Sequence, residues 1–395
     1  MTAKRQITVG EFKAGPLEKE YVNDVLNTGR LSYGPWSRRF EQQWAEAHGC
    51  KHAVFCNSGT SALHIAVAAL KEKYGWRDGD EILVPSVTFV ATVNVVIHNN
   101  MKPVFVDVDP DTYNIDPLLI SDAVTARSRG IIPVHLCGLP ANMPEIAEIA
   151  KRHNLKMIED SCETAFADVD GRPVGSWGEI GCFSTYMAHY ITTGVGGFAT
   201  TNDPELAVTL RSLMNHGRDS IYLNIDDDNG KTAGEMKEVI ARRFSFDKLG
   251  HSFRCTEFEA AIGCAQMERK ESIVAARVGT AMHYTRALSG LLDVMQLPTG
   301  NDHVYMLYPI VLDKKVDKVA LVNFLEENGI ETRDLLPLLD QPVYRNMFGR
   351  QLSKYPVAKR LDKFGFYIGC HQYLTPDDVE YVADKFHEFF NRKRT

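Results

Sequence analysis

Residues 182–197 read Cys182-Phe183-Ser184-Thr185-Tyr186-Met187-Ala188-His189-Tyr190-Ile191-Thr192-Thr193-Gly194-Val195-Gly196-Gly197. The stretch is polar and small except for a few apolar residues, and His189 sits at its centre. An imidazole titrates near neutrality, so it can take and give protons at working pH. No lysine occurs anywhere between Lys156 and Lys231. Whatever chemistry this stretch performs, it performs without an amine of its own.

The stretch ends in Gly197–Thr201, the last of five short apolar runs with the character of buried strands. The others are Glu81–Val84, Pro103–Val108, Gly130–Leu136 and Lys156–Glu159. Helical spacing covers roughly 36–48 and 60–74, and turn signals fall at Arg77-Asp78-Gly79-Asp80, Asp109-Pro110-Asp111 and Asp170-Gly171-Arg172-Pro173. Alternating helices and short apolar strands predict a parallel α/β sheet over about 35–210, buried on both faces. A polar insert, Asp226-Asp227-Asp228-Asn229-Gly230-Lys231, reads as a mobile surface loop near the site mouth. One long helical pattern, Glu257–Leu288, leads into a second unit. That unit holds a strand at Leu307–Leu312, a helix at Lys318–Asn328 and a final helix from Pro376 to Asn391.

At 395 residues the chain is long enough for a large domain and a smaller one. Its formal charge of −7 favours neither nucleic acid nor an anionic membrane surface. Residues 1–10 lack the apolar run of a signal peptide and no stretch approaches a membrane span, so cytoplasm is the expectation. Eight cysteines, at 50, 56, 137, 162, 182, 255, 264 and 370, include no CxxC and read as small, mostly buried residues. An iron–sulfur site needs four converging thiolates, which this spacing does not suggest.

Four further segments carry chemistry. Cys56-Asn57-Ser58-Gly59-Thr60-Ser61-Ala62-Leu63-His64 is a small-residue turn opening a helix, where N–H groups and the helix dipole suit a phosphate; taken alone, such an entry is more often simple helix capping. Val84-Pro85-Ser86-Val87-Thr88-Phe89-Val90-Ala91-Thr92 sets an aromatic after a strand. Met157-Ile158-Glu159-Asp160-Ser161-Cys162-Glu163-Thr164 ends a buried strand on a carboxylate, which is costly without a partner. Leu249-Gly250-His251-Ser252-Phe253-Arg254-Cys255-Thr256-Glu257 precedes the long helical pattern.

In this order, from about residue 12 to 390, the segments resemble the DegT family of sugar aminotransferases. The resemblance implies a fold type I pyridoxal-phosphate architecture. Its large α/β domain, residues 1–275, would hold a mostly parallel mixed sheet with helices on both faces, and 276–395 would form a smaller C-terminal α/β domain. It implies a homodimer with shared active sites. It assigns the cofactor phosphate to Gly59, Thr60 and Ser184, the ring face to Phe89 and the pyridine nitrogen to Asp160. The family's Asn that reaches the partner's phosphate is Ser252 here, and its usual Thr-Gly-Glu-Gly-Gly is Thr193-Gly194-Val195-Gly196-Gly197. Gly329-Ile330-Glu331-Thr332-Arg333 and Ile368–Thr375 resemble signatures of the second domain. His216 and Arg333 are weaker substrate-binding candidates, Arg333 for a donor carboxylate or a sugar diphosphate.

The family's cofactor-binding lysine, five residues after that serine, is replaced by His189. An amine can hold the cofactor aldehyde covalently, and an imidazole cannot. Within the family this exchange marks the 3-dehydratases that deoxygenate nucleotide-linked sugars. Glu163, which the resemblance places among the cofactor-binding residues, agrees, because the aminotransferases usually carry Gln there and the dehydratases an acid. One related branch holds an iron–sulfur cluster through a Cys-x-Cys pair, absent here. The expectation is therefore removal of the C3 hydroxyl of a nucleotide-linked 4-keto-6-deoxyhexose. Non-covalent pyridoxal and pyridoxamine phosphate would serve as cofactor and L-glutamate as amino donor, without a metal, an iron–sulfur cluster, nucleic acid or membrane. Three alternatives stand beside it: a nucleotide-sugar aminotransferase tolerating His, an engineered Lys→His change, against which Glu163 argues, and a non-enzymatic cofactor- or sugar-binding relative.

Overall fold

A computed structural model describes residues 5–220, 230–300 and 302–392; of the expected insert 226–231, only Gly230 and Lys231 fall within them. The main sheet uses β1 (His52–Cys56), β2 (Glu81–Pro85), β3 (Lys102–Val106), β4 (Ser128–Ile131) and β5 (Lys156–Asp160). After a small hairpin, β6 (Asp168–Val169) and β7 (Arg172–Pro173), it adds β8 (Ile180–Ser184) and β9 (Gly197–Thr201). The order is β1-β9-β8-β5-β4-β2-β3. β9 runs antiparallel to both neighbours, and the other pairs are parallel.

Alternation along the strands builds two cores at once. Ala53 and Phe55 of β1 face Phe40, Trp44 and Phe198, whereas Val54 and Cys56 face Ala62, Ile65 and Ala66 on the other side. The helix Gly59–Tyr74 is buried almost all round, which explains its run of Ala, Leu, Ile and Val. Each fully buried Leu, Ile or Val side chain there contributes roughly 1.5–3 kcal/mol from lost water contact. Ser58 caps its start and Gly75, in the left-handed region, ends it.

Two expectations are corrected. The run Gly130–Leu136 is strand only to Ile131, because Pro133 has no N–H for the ladder; pairing resumes as a lone bridge, Val134 to Asp160. The long helical pattern is two helices, Glu257–Met267 and Lys270–Ala287. The break at Glu268–Arg269 contains neither Gly nor Pro. It lets Glu268 accept from Tyr21 and Arg269 pair with the buried Glu18, both on the first helix, Pro16–Thr28.

A second, antiparallel sheet follows: β10 (Met295–Gln296), β11 (Leu307–Leu312), β12 (Thr332–Asp334) and β13 (Gly365–Gly369), in the order β10-β11-β13-β12. Its core unites Tyr308, Ile310, Phe366 and Phe386 with Ile7 near the N-terminus, whose backbone pairs with Ile330. The final helix spans Pro376–Arg392. Among the described residues no helix is long and apolar enough to cross a membrane.

Candidate active site

The carboxyl ends of β1, β2, β5 and β8 open on one edge of the main sheet, the usual place for a ligand in an α/β fold. A cavity of about 400 Å³ lies there, lined also by Met306, Leu307, Leu336 and Tyr367 at or beside the strands of the second sheet. It brings together Gly59, Thr60, Phe89, Asp160, Glu163, Ser184 and His189. All seven were expected from the sequence.

At one end the helix Gly59–Tyr74 points its N-terminus into the cavity beside Ser184. Close approach needs glycine on both sides. A Cβ at Gly59 would lie 2.7 Å from Cys162 Sγ and 2.9 Å from Ser184 Cβ, and one at Gly197 would lie 2.4 Å from the Gly59 nitrogen. The result is a tight cradle lined by first-turn N–H groups and hydroxyls, suited to an anion.

In the middle stands Asp160, only 4% exposed at the end of β5. Thr92 donates to its Oδ2 at 2.7 Å and the Cys162 N–H to its Oδ1 at 3.2 Å. Thr88 meets Thr92 at 2.7 Å. Burial raises the Asp160 carboxyl above its ordinary range, against those hydrogen bonds. It has no ion pair among the described residues, so a cation arriving beside it would be strongly favoured. Phe89, 57% exposed, lines the same space. A protonated pyridine ring with a phosphate arm meets each of these requirements: an anion cradle, a flat apolar face and a buried carboxylate awaiting a positive partner. The residues present fit pyridoxal phosphate.

Glu163 lies on the cavity wall, where its Oε2 accepts from the Cys137 N–H at 2.9 Å. Burial, with the Asp160 charge in support, lifts its carboxyl to about 7. His189 is half-buried, and its Nδ1 is 3.2 Å from the Tyr186 carbonyl. A carbonyl only accepts, so Nδ1 carries the proton in the neutral ring and Nε2 keeps its lone pair. Burial pushes the imidazolium down to about 4, which makes His189 a neutral base at pH 7.

Three expected residues do not line the cavity. Ser252 accepts from Arg254 Nη2 at 2.9 Å, and the same nitrogen is 3.1 Å from His216 Nε2. Arg333 is exposed, paired with Glu331 and donating to the Thr332 carbonyl. The sequence reading also missed contributors. The Thr88–Thr92 relay was visible as hydroxyls four apart on a helix start after a strand. Val9, Met306 and Tyr367 come from distant segments and had no local signal.

The DegT/DnrJ/EryC1/StrS aminotransferase family matches residues 13–387. The chain belongs to this family, which is one of pyridoxal-phosphate-dependent sugar biosynthesis. Among its relatives, the lipopolysaccharide biosynthesis protein RfbH of Salmonella typhimurium is 35% identical over 95% of this chain and 90% of its own. The GDP-perosamine synthase of Caulobacter vibrioides is 34% identical over 95% and 96%. The structure of the E. coli GDP-4-keto-6-deoxy-D-mannose-3-dehydratase with bound hydrated PLP superposes with a TM-score of 0.87 at 26% identity, covering 96% of this chain and 100% of that one. Family members thus carry both dehydratase and synthase names on one fold.

Proposed function

We propose that this chain removes the C3 hydroxyl of a nucleotide-linked 4-keto-6-deoxyhexose. The observation that carries the reading is His189: a neutral imidazole lines the cavity, and no lysine is among the cavity-lining residues. When bound, the cofactor supplies an electron sink and, in its pyridoxamine form, the amine that condenses with the C4 ketone. The protein does the rest. Gly59, Thr60 and Ser184 hold the phosphate, Phe89 stacks on the ring, and Asp160 keeps the ring nitrogen protonated. With no lysine amine to compete, the cofactor stays non-covalent; a solved relative likewise carries hydrated PLP.

His189 Nε2 takes the proton that must leave for electrons to enter the ring, and returns one to the departing C3 hydroxyl. Glu163, a carboxyl balanced near neutrality, faces the same space and suits proton exchange with the sugar. Overall the sugar loses one oxygen while L-glutamate becomes 2-oxoglutarate and releases its nitrogen as ammonia. We further propose a cytoplasmic homodimer of two-domain chains divided near residue 276, with Ser252 directed to the partner's phosphate site.

The second reading is a sugar aminotransferase, favoured by the GDP-perosamine synthase relative. Nitrogen accounting separates the two. With L-glutamate and a nucleotide 4-keto-6-deoxyhexose, the dehydratase releases ammonia in step with 2-oxoglutarate. If 2-oxoglutarate forms while ammonia does not, the nitrogen has gone into the sugar and the proposal fails.

A further inference from the structure

We infer that Arg277 is the positioning residue for His189, one buried guanidinium that fixes the acid–base loop and the opposite cavity wall together. The inference rests on the reading of His189 as the acid–base group. Arg277 belongs to the helix Lys270–Ala287 and is 1% exposed. Its Nη2 donates to the His189 carbonyl at 2.9 Å. Its Nη1 donates to the Met306 carbonyl at 2.9 Å and the Cys370 carbonyl at 3.3 Å. The guanidinium carbon lies 4.9 Å from the centre of the Tyr190 ring.

Arg277 has no carboxylate partner among the described residues, and its Nε has no hydrogen bond. A cation buried on these terms is a poor way to stabilise a fold, since an apolar side chain would fill the space at lower cost. What the guanidinium alone offers is geometry. Its planar fork carries diverging donors, so three carbonyls from segments distant in sequence share one rigid group. Two of the three belong to residues that line the cavity, His189 and Met306.

The Tyr186 carbonyl accepts both the His189 main-chain N–H, at 3.0 Å, and Nδ1. Arg277 holds the other end of the same residue. The backbone that carries the imidazole is thereby fixed at its N–H and at its carbonyl, and the ring is held through Nδ1, as a group transferring protons to a bound sugar requires. The charge matters as well as the fork. The groups around His189 are Tyr186 and Tyr190 from its own loop, Arg277 from the helix, and Asp160, Glu163 and Tyr367 on the cavity walls. Arg277 is the one permanent cation in that set, and it adds to burial in disfavouring a protonated His189.

The test compares the wild type with Arg277→Lys and Arg277→Met, after thermal melts and cofactor absorbance establish folding and occupancy. The His189 imidazole is titrated by NMR in protein without cofactor, and dehydration kinetics are measured on loaded enzyme. In Arg277→Met the imidazole titrates higher than in wild type, and kcat falls roughly 10- to 100-fold with little change in KM. Arg277→Lys keeps the low titration but still loses kcat, because one ammonium cannot span the three carbonyls. Wild-type kcat in Arg277→Lys overturns the inference even if the Met variant fails to fold. A lower melting temperature alone, with kcat and titration unmoved, assigns Arg277 to stability and also overturns it. Dehydration surviving in His189→Gln would instead remove the reading of His189 beneath it. An inactive His189→Gln beside a wild-type-like Arg277→Lys removes the Arg277 inference only.

Discussion

The two ends of the cavity are held in different ways. At the Gly59 end, Ser58 bridges Gly196, and Gly59 and Gly197 pack so closely against each other, Cys162 and Ser184 that a side chain at either glycine would clash. At the His189 end the loop carries exposed Tyr186, Met187 and Val195 and depends on side chains from elsewhere, Arg277 above all. The N-terminal segment braces it too: Val9 donates its N–H to Glu331 at 2.8 Å, and a Cβ on Gly10 would lie 2.6 Å from Ala188 Cα. The cradle end is thus fixed by close backbone packing, whereas the His189 end is held by side chains contributed from distant segments. On the proposed function, the first end binds the cofactor phosphate and the second sets the reaction.

The sharpest way to break that contrast is His189→Lys. Dehydration should fall at least about 1000-fold, and borohydride should fix the cofactor to the protein, read as a gain in intact mass. Retained dehydration in that variant would end the account. Next in size is Asp160→Asn, which leaves the shape and removes the charge that protonates the ring. Steady-state kcat should drop roughly 100-fold, with the bound cofactor's absorbance shifted. Gly59→Val attacks the cradle instead. Its new side chain meets Cys162 and Ser184, so equilibrium titration should show cofactor binding weakened about tenfold, equivalent to roughly 1.4 kcal/mol. A kcat at saturating cofactor that fell as far as the affinity would contradict the division between the two ends.

The smallest effect is on stability against pH. Unfolded Glu163 ionises near 4.5 and the folded group near 7. Between those values the native state keeps a proton that the unfolded chain has lost, so stability falls as pH rises through the window. The loss is complete above about 7. Glu163→Gln avoids it. In melts of cofactor-free protein the variant should match wild type near pH 4.5 and exceed it by a few degrees near pH 8. Parallel melting curves across that range would mean Glu163 ionises freely and is not a neutral-range acid.

How much of this was legible follows from the same contrast. The cradle residues sit in contiguous motifs, 56–64, 84–92, 157–164 and 182–197, because strand-end loops present their own residues to the ligand. Local sequence therefore names them. The short strands β1 and β8 were not read, since a five-residue, largely apolar run between loops looks alike in helix or strand. Arg277 was invisible for another reason. Its helix carries charges on all sides, so an arginine there reads as solvated, and only tertiary packing buries it. Ser252 and Arg333 were named by resemblance and His216 as a weaker candidate near the site, and all three lie outside the cavity lining.

The central claim, that His189 in this cavity directs loss of the C3 hydroxyl, meets its most direct test in the mass of the sugar product. The protein would be incubated with pyridoxal phosphate, L-glutamate and a panel of nucleotide 4-keto-6-deoxyhexoses. The account predicts a nucleotide sugar lighter by one oxygen with its C4 ketone intact. A product that keeps every hydroxyl and carries an amine in place of the ketone would contradict it.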